Sequence, residues 1–140
     1  MAFGKGKTEE EKAAEAADLE AQRAAAAEAK RKAAEERACN AVLIKPNQAG
    51  TVTETKAALD AGKAAGFGTI VSARSGETED VTIVHMSVGW DAGQLKVGSF
   101  ARSERMAKWN EALRIEESLG TSAQFCGRTV LPRTSAGSRR

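Results

Sequence analysis

Four residues have the type and the spacing to handle a small anion: Lys45, Arg74 with its neighbour Ser75, and Lys96. Each follows or closes a short apolar run, so each lies where a strand would give way to a loop. Three basic groups and a hydroxyl at one edge of a sheet would bind a phosphorylated or carboxylated small molecule, since arginine offers a planar fork and lysine a point charge. The spacing alone is a weak indication, because lysines and arginines at loop edges are most often solvated charges.

Lys45 lies between a predicted strand and a predicted helix. The apolar run 41–44 ends at this lysine, and Pro46 prevents a helix from continuing through it. Thr51 opens a capping box three residues before a glutamate, and Gly66 is typical of the position just past a helix end. The segment therefore predicts a strand, a loop and a helix.

The same pattern recurs twice further along the chain. Residues 69–71 form a second apolar run, followed by the polar loop 72–76 and by a segment, 77–89, that is ambiguous because it is rich in β-branched residues. Residues 94–97 form a third run, and residues 103–119 carry apolar side chains at helical spacing. Alternating strands and helices predict an α/β fold of three βα units, with a parallel sheet whose carboxyl-terminal strand ends carry the chemistry.

The two ends of the chain differ in composition from this globular part. Residues 8–38 begin with a capping box at Thr8, are mostly alanine and charged helix formers, and contain one large apolar side chain, Leu19. We therefore predict a charged arm over residues 1–37, as a long Ala/Glu/Lys-rich helix or a partly disordered segment, without an apolar stripe. Its role is either that of a partner-binding or spacer helix or that of a solubilising tail. Residues 128–140 are predicted to be a flexible tail.

Bulk properties restrict the class of protein. The 140 residues are fewer than the roughly 250 of most complete α/β barrels. The net charge of +2 is spread over interspersed acids and bases, so neither nucleic acid nor a membrane is predicted as a partner. Cys39 and Cys126 predict neither a disulfide nor a zinc site and read as small buried hydrophobes. Without an apolar run of ~18 residues or a signal peptide, a soluble, cytoplasmic protein is expected.

Other polar residues are predicted to be structural. His85 lies within the segment 77–89 without a second metal ligand near it in sequence, which favours a surface or packing histidine. The acids from Glu77 to Asp80 fit the first turn of a helix, where the macrodipole favours them. Glu104 and Arg105 are expected to form structural ion pairs.

Several longer motifs resemble the end of the enolase barrel. Motifs similar to the sixth, seventh and eighth barrel strands with their loops, to the last helix and to the usual chain ending occur in that order: Ala38-Cys-Asn-Ala-Val-Leu-Ile-Lys-Pro-Asn-Gln-Ala-Gly-Thr51, Ser72-Ala-Arg-Ser-Gly-Glu-Thr-Glu-Asp80, Gly93-Gln-Leu-Lys-Val-Gly98 with Arg102-Ser-Glu-Arg105, Leu113-Arg-Ile-Glu-Glu-Ser-Leu-Gly120 and Ala123-Gln-Phe-Cys-Gly127. The resemblance covers residues 38–127. It implies about the last three units of an eight-unit TIM-type barrel, with a helix in the ambiguous segment.

The resemblance also implies an activity, the dehydration of 2-phosphoglycerate to phosphoenolpyruvate in glycolysis. The lysine that matches Lys45 removes the proton next to the substrate carboxylate. The lysine that matches Lys96 holds that carboxylate and helps stabilise the enediolate-like intermediate, while Arg74 and Ser75 match phosphate contacts. Magnesium is the implied cofactor.

Two departures from the enolase pattern stand out. Ala73 occupies the position of a histidine that touches the substrate in most enolases, so substrate binding should weaken. Enolases hold two magnesium ions, and place the acid for hydroxide departure, on earlier barrel strands that no motif here matches, so no metal ligand is predicted in this chain.

We expect the truncated chain to be inactive alone and either oligomeric, completed by another chain, or poorly folded. The alternatives are a non-catalytic binding or scaffold protein that uses the helical arm and a remnant phosphate site, and a relic without a selected role.

Overall fold

The structure is a computed structural model that describes residues 7–36 and 38–132, apart from the side chains of residues 22, 23, 26 and 30. The predicted arm and tail include residues 1–6, 37 and 133–140, which lie outside the described residues. In chain order the elements are α1 (Glu9–Glu35), β1 (Ala41–Ile44), α2 (Pro46–Ala49), α3 (Val52–Ala64), β2 (Gly68–Ser72), α4 (Thr82–Gly89), β3 (Gly93–Lys96), α5 (Ser103–Leu119) and two 3-10 turns, Gly120–Ser122 and Gly127–Val130.

The three strands form one parallel sheet in the order β1-β2-β3. Ile44 pairs with Val71, and Ser72 pairs with Lys96, so the carboxyl ends of all three strands share one edge. The buried Thr69 hydroxyl donates to the Ala92 carbonyl at 2.7 Å and ties β2 to the start of β3. The predicted α/β class with three βα units is confirmed.

The hydrophobic core lies between one face of the sheet and helices α3, α4 and α5. Leu59, Val71 and Val84 are fully buried, and each such side chain contributes about 1.5–3 kcal/mol through removal from water. Helix α3 approaches β1 closely, because a Cβ on Gly62 would lie 2.7 Å from Val42 Cγ1. The buried cluster comprises Ile44, Leu59, Val71, Ala73, Ile83, Val84 and Ala92.

The other face of the sheet, which we call the open face, is not covered by any helix of the described residues. Strand side chains alternate between faces, so the register row of Leu43, Ile70 and Gln94 points away from the core. Leu43 is 50% exposed, whereas its neighbour Ile44 is 3% exposed. Within the described residues, the outer edges of β1 and β3 also have no partner strand.

Helix α1 is a solvated element. Thr8 and Glu11 form the predicted capping box, with Thr8 Oγ1 accepting from the Glu11 amide at 3.2 Å and Glu11 Oε2 accepting from the Thr8 amide at 2.8 Å. The described side chains are exposed as far as Lys32. The apolar residues are not gathered on one face of the helix. Surface ion pairs such as Lys12 with Glu9 line the helix and contribute little each. No helix of the described chain is both long and apolar enough to cross a bilayer.

Helix α4 is shorter than the sequence predicts, beginning at Thr82 rather than at Glu77. The acids before it serve the loop instead of a first helical turn, because Glu77 accepts a hydrogen bond from the Arg74 amide. Asp80 accepts from both the amide and the hydroxyl of Thr82, at 2.9 and 3.1 Å, and so closes the helix start. The hydrogen bonds from the amide and then the hydroxyl of Thr82 lower the pKa of the Asp80 carboxyl below its ordinary value.

Three smaller expectations have mixed outcomes. His85 is a surface histidine whose Nε2 lies 3.0 Å from Glu111, a contact between α4 and α5. Cys39 and Cys126 are exposed thiols, so the prediction that they are buried hydrophobes is wrong. Their short apolar side chains lie in connecting segments that no helix or strand covers. The described start of the predicted tail packs on the sheet, since a Cβ on Gly68 would lie 2.9 Å from Pro132.

Candidate active site at the carboxyl edge of the sheet

Lys45 is the first residue after β1 and keeps an extended backbone, with φ −119° and ψ 102°. Pro46 starts the one-turn helix α2, and the Lys45 carbonyl accepts from the amides of Gln48 and Ala49 at 2.9 and 3.2 Å. The side chain is half-buried. The backbone on both sides of this lysine is thus held by regular hydrogen bonding, which fixes where its side chain leaves the sheet.

Lys96 ends β3 and lies at the same level as Lys45 across the sheet. Its register partner is Ser72, and the Lys96 carbonyl accepts from the Ala73 amide at 3.0 Å. Continuing the β1 register by one residue places Lys45 on the other side of Ser72. Two strand spacings separate the lysines, about 10 Å between Cα atoms. By the same alternation as Leu43, both lysines are on the open face, with the buried Ser72 between them.

Arg74 and Ser75 follow β2 in a loop over residues 74–78, which we call the rim loop. Both side chains are exposed, and the structure gives neither of them a hydrogen-bond partner among the described residues. Three of their four backbone polar groups, in contrast, are hydrogen-bonded. The Arg74 amide donates to Glu77 Oε1 at 2.6 Å, and the carbonyls of both residues accept from Arg105.

Arg105 joins the rim loop to the end of β3. One guanidinium nitrogen, Nη1, donates to the Val97 carbonyl at 2.7 Å, and Nη2 donates to the carbonyls of Arg74 and Ser75 at 2.8 and 3.2 Å. The expected ion pair with Glu104 is present at 3.8 Å. The carbonyl contacts are shorter, so the main role of Arg105 is to hold the backbone on both sides of the site.

Lys108, one turn further along α5, is fully buried at 0% exposure. Its Nζ donates to the Thr78 carbonyl at 2.8 Å and to the Glu104 carbonyl at 3.1 Å, and it lies 3.2 Å from Glu77 Oε2. Glu77 thus links Lys108 to the Arg74 amide through its two carboxylate oxygens. A buried charge that is both paired and hydrogen-bonded avoids the cost of an isolated one.

The family of the chain is shown by its similarity to known proteins. The model of the family described as "Enolase, C-terminal TIM barrel domain" matches residues 20–134. The chain belongs to the enolase family. The family and the barrel class predicted from the sequence motifs are therefore confirmed.

Individual enolases support the same assignment. The chain is 62% identical over 91 residues to Enolase 1 of Desulfitobacterium hafniense (strain Y51), 58% over 89 residues to the enolase of Anaplasma marginale (strain St. Maries), and 54% over 99 residues to that of Acidothermus cellulolyticus (strain ATCC 43068 / DSM 8971 / 11B). These matches cover 65%, 64% and 71% of this chain and 21%, 21% and 23% of the relatives. The chain therefore spans about a fifth of the length of the curated enolases it matches.

Ala73, the position of the predicted enolase histidine, belongs to the hydrophobic core. It is 5% exposed and clusters with Ile83 and Val84 of α4. Its amide is bound to the Lys96 carbonyl, so the backbone here is part of the sheet edge. The Ala73 methyl group fits the space between these core residues. A larger side chain would have to displace them or point out of the core.

The described residues do not provide the donor set that magnesium requires in an enolase. No group of three or more His, Cys, Asp or Glu side chains comes together within residues 7–36 and 38–132. Magnesium needs carboxylate and other oxygen ligands around one point. Near the rim, Glu77 and Asp80 are already engaged by the rim loop and by α4.

Sequence reasoning missed the two basic residues that hold the rim loop. Lys108 carried no motif, and Arg105 was expected only in an ion pair with an acid. The available indication was their spacing of three residues on α5, which places them on one helix face. Their partners are backbone carbonyls about 30 positions away, and no residue type in the sequence marks a carbonyl as an acceptor.

Proposed function

We propose that this chain supplies the substrate-binding edge of an enolase site, with Lys45 and Lys96 as the catalytic lysines and Arg74 and Ser75 as phosphate contacts. One observation carries the proposal. The parallel register puts both lysines on the open face at the level of Ser72, and the rim loop begins two residues after Ser72. Cationic groups at this edge suit a three-carbon acid that carries a carboxylate and a phosphate.

Each group has a distinct role in the proposed dehydration of 2-phosphoglycerate to phosphoenolpyruvate. The Lys45 amine, in its neutral form, takes the proton from the carbon next to the carboxylate. The hydroxide on the neighbouring carbon then leaves as water, with a proton from an acid that the earlier barrel units would supply. The ammonium group of Lys96 pairs with the carboxylate and stabilises the negative charge that builds up on it. Arg74 and Ser75 donate to the phosphate from the adjacent loop and orient the substrate between the lysines.

We propose that the chain is not competent for this reaction alone. The described residues lack a magnesium donor set, so the negative charge of the intermediate has only the lysines as counter-charge. The open face and the unpaired strand edges also present apolar and backbone groups that favour association. A chain that supplies the earlier barrel units, or a second copy, would cover them. Cytoplasmic location is proposed from the enolase relationship.

The test is an assay of the purified chain with 2-phosphoglycerate and magnesium, following phosphoenolpyruvate, alone and after mixing with the earlier part of an enolase barrel. We expect no turnover from the chain alone and turnover after mixing, which Lys45→Ala abolishes. Turnover by the chain alone that is lost in Lys45→Ala would overturn the proposed dependence on a second chain. Restored turnover that survives Lys45→Ala would overturn the proposed role of the lysine.

A second candidate function is a non-catalytic binding or scaffold protein. It is favoured by α1, whose 27 residues carry exposed described side chains over most of the helix. Deleting residues 1–37 separates the two proposals. The deletion leaves restored turnover unchanged if the chain is part of an enzyme, and removes partner binding without affecting phosphate binding if α1 is the functional element.

A further inference from the structure

We infer that Arg105 and Lys108 are positioning residues that fix the rim loop so that Arg74 and Ser75 can act together with Lys96. The inference rests on the proposed phosphate role of Arg74 and Ser75, and it assigns a role to two α5 residues that the reaction chemistry does not use. Neither residue is placed to touch the substrate in this account. Both act through the backbone of the rim loop.

These two side chains bind three of the five backbone carbonyls of the rim loop. Arg105 binds the carbonyls of Arg74 and Ser75, and Lys108 binds the carbonyl of Thr78. Glu77, paired with Lys108, accepts from the Arg74 amide. In a loop of five residues, three carbonyls and one amide are thereby bound to α5 directly or through one carboxylate. The flanking backbone has little freedom left, whereas the Arg74 and Ser75 side chains stay exposed.

Arg105 also sets the distance between the rim loop and the third strand. Its guanidinium bridges from the Ser75 carbonyl to the Val97 carbonyl, one residue after Lys96. A planar guanidinium can serve several acceptors in fixed directions, which a single ammonium group cannot do. The side chain is 11% exposed, so solvent competes little for these bonds. One guanidinium group thus fixes the backbone beside the proposed phosphate contacts and beside the carboxylate-binding lysine.

A conservative change at this position separates a positioning role, which would affect the rim loop alone, from general stabilisation, which would affect the whole fold. Arg105→Lys keeps the charge and most of the length of the side chain but cannot span carbonyls of two loops. Arg114→Lys on the same helix is the matched control, because Arg114 is exposed and contacts Glu111 on the surface. Glu77→Gln is a second test variant, which retains an acceptor for the Arg74 amide and removes the partner charge of Lys108.

The experiment uses the full 140-residue chain labelled with ¹⁵N and inorganic phosphate as the probe. Three quantities are measured for each variant: the phosphate dissociation constant from amide shifts of residues 74–76, amide hydrogen exchange along the chain, and the urea midpoint. For Arg105→Lys we expect about tenfold weaker phosphate binding and about tenfold faster exchange of rim-loop amides. Exchange in β2 and α4, and the urea midpoint, should stay near those of the unchanged chain. Glu77→Gln should act in the same direction, and Arg114→Lys should change nothing.

The remaining outcomes separate this inference from the proposed function. Phosphate affinity and rim-loop exchange that are unchanged in Arg105→Lys would overturn the positioning role and leave the phosphate site intact. Faster exchange spread equally over β2 and α4 would make Arg105 a general stabilising residue and would also overturn it. Absence of phosphate shifts in the unchanged chain would overturn the phosphate role of Arg74 and Ser75. Amide hydrogen exchange in the rim loop would then be the one measurement that tests the positioning role.

Discussion

The two lysines of the proposed site differ in their surroundings, and the difference matches the two roles assigned to them. Lys45 is half-buried and continues an extended strand into α2, whereas Lys96 is exposed at the end of an outer strand. A proton-transfer group benefits from a fixed position, because a small misplacement of the reacting atoms slows the reaction. A group that pairs with a carboxylate can reach its partner from a more solvated position.

Ala73 shows how a single residue couples the site to the core. Replacing it with histidine would restore the residue type of most enolases but would place a ring among Val71, Ile83 and Val84. We expect Ala73→His to lower the free energy of unfolding by about 1–3 kcal/mol through overpacking, as measured by urea unfolding. The control is Ala101→His, since Ala101 is exposed and should tolerate the ring. Equal stability of the two variants would contradict the buried environment of residue 73.

The position of the candidate residues at one sheet edge could be predicted from sequence, and the contacts that hold the rim loop could not. Lys45 and Lys96 adjoin apolar runs, and parallel strands bring such ends to one edge, so local pattern and topology were sufficient for their position. Their roles stay a prediction from the enolase resemblance. The contact of Lys108 with the Thr78 carbonyl joins positions 30 apart, and it depends on how α5 lies against the rim loop. Residue types do not specify that packing.

At the scale of elements, residues that were predicted to begin helix α4 lie in the preceding loop. The acids from Glu77 to Asp80 favour a helix start by propensity, yet Glu77 is engaged by the Arg74 amide and by Lys108. These tertiary contacts outweigh the local preference, and Asp80 becomes the residue that closes the helix start at Thr82. The start of α4 differs from the prediction because Glu77 contacts residues outside the segment 77–89.

The contact of Asp80 with Thr82 predicts an acid-dependent contribution to stability. The folded pKa of Asp80 is lowered by hydrogen bonds from Thr82, so its contribution is present above the ordinary carboxyl pKa of about 3.9 and is lost as pH falls through the folded pKa. Asp80→Ala removes two surface hydrogen bonds from Thr82, so it should destabilise the chain by about 1 kcal/mol at neutral pH, and less in acid, in urea unfolding. Asp80→Asn is the matched variant, because it retains an oxygen that can accept from the Thr82 amide and has no titrating group. A pH-dependent loss as large in Asp80→Asn as in the unchanged chain would exclude Asp80 as its source.

At the scale of the whole molecule, the described residues cover the open face only in part: Pro132 packs at Gly68, whereas Leu43 stays exposed. The core uses one side of the sheet, and Leu43 with the half-buried Ile70 lies on the other. In an eight-unit barrel that side is the interior, so the exposed apolar groups here are those that further strands would cover. The chain spans about a fifth of its enolase relatives, which agrees with three βα units of a larger assembly.

The open face predicts where a second chain binds. Leu43→Gln should weaken association with the earlier barrel part, or self-association, without a large loss of stability, because the side chain is half exposed in the chain itself. Sedimentation velocity over a concentration series measures the effect. Leu113→Gln on α5 is the control, since Leu113 is 62% exposed but lies away from the sheet. Equal effects of the two substitutions would argue against the open face as the interface.

We propose that Lys45 and its neighbours at the carboxyl edge bind and act on the substrate of an enolase. The most direct measurement is the rate of phosphoenolpyruvate formation by a hybrid enolase, in which residues 38–127 replace the aligned segment of a curated relative. We predict measurable turnover that falls by at least about a hundredfold in Lys45→Ala, as expected for the loss of a proton-transfer group. A hybrid that forms phosphoenolpyruvate equally fast with and without the Lys45 amine would contradict the account.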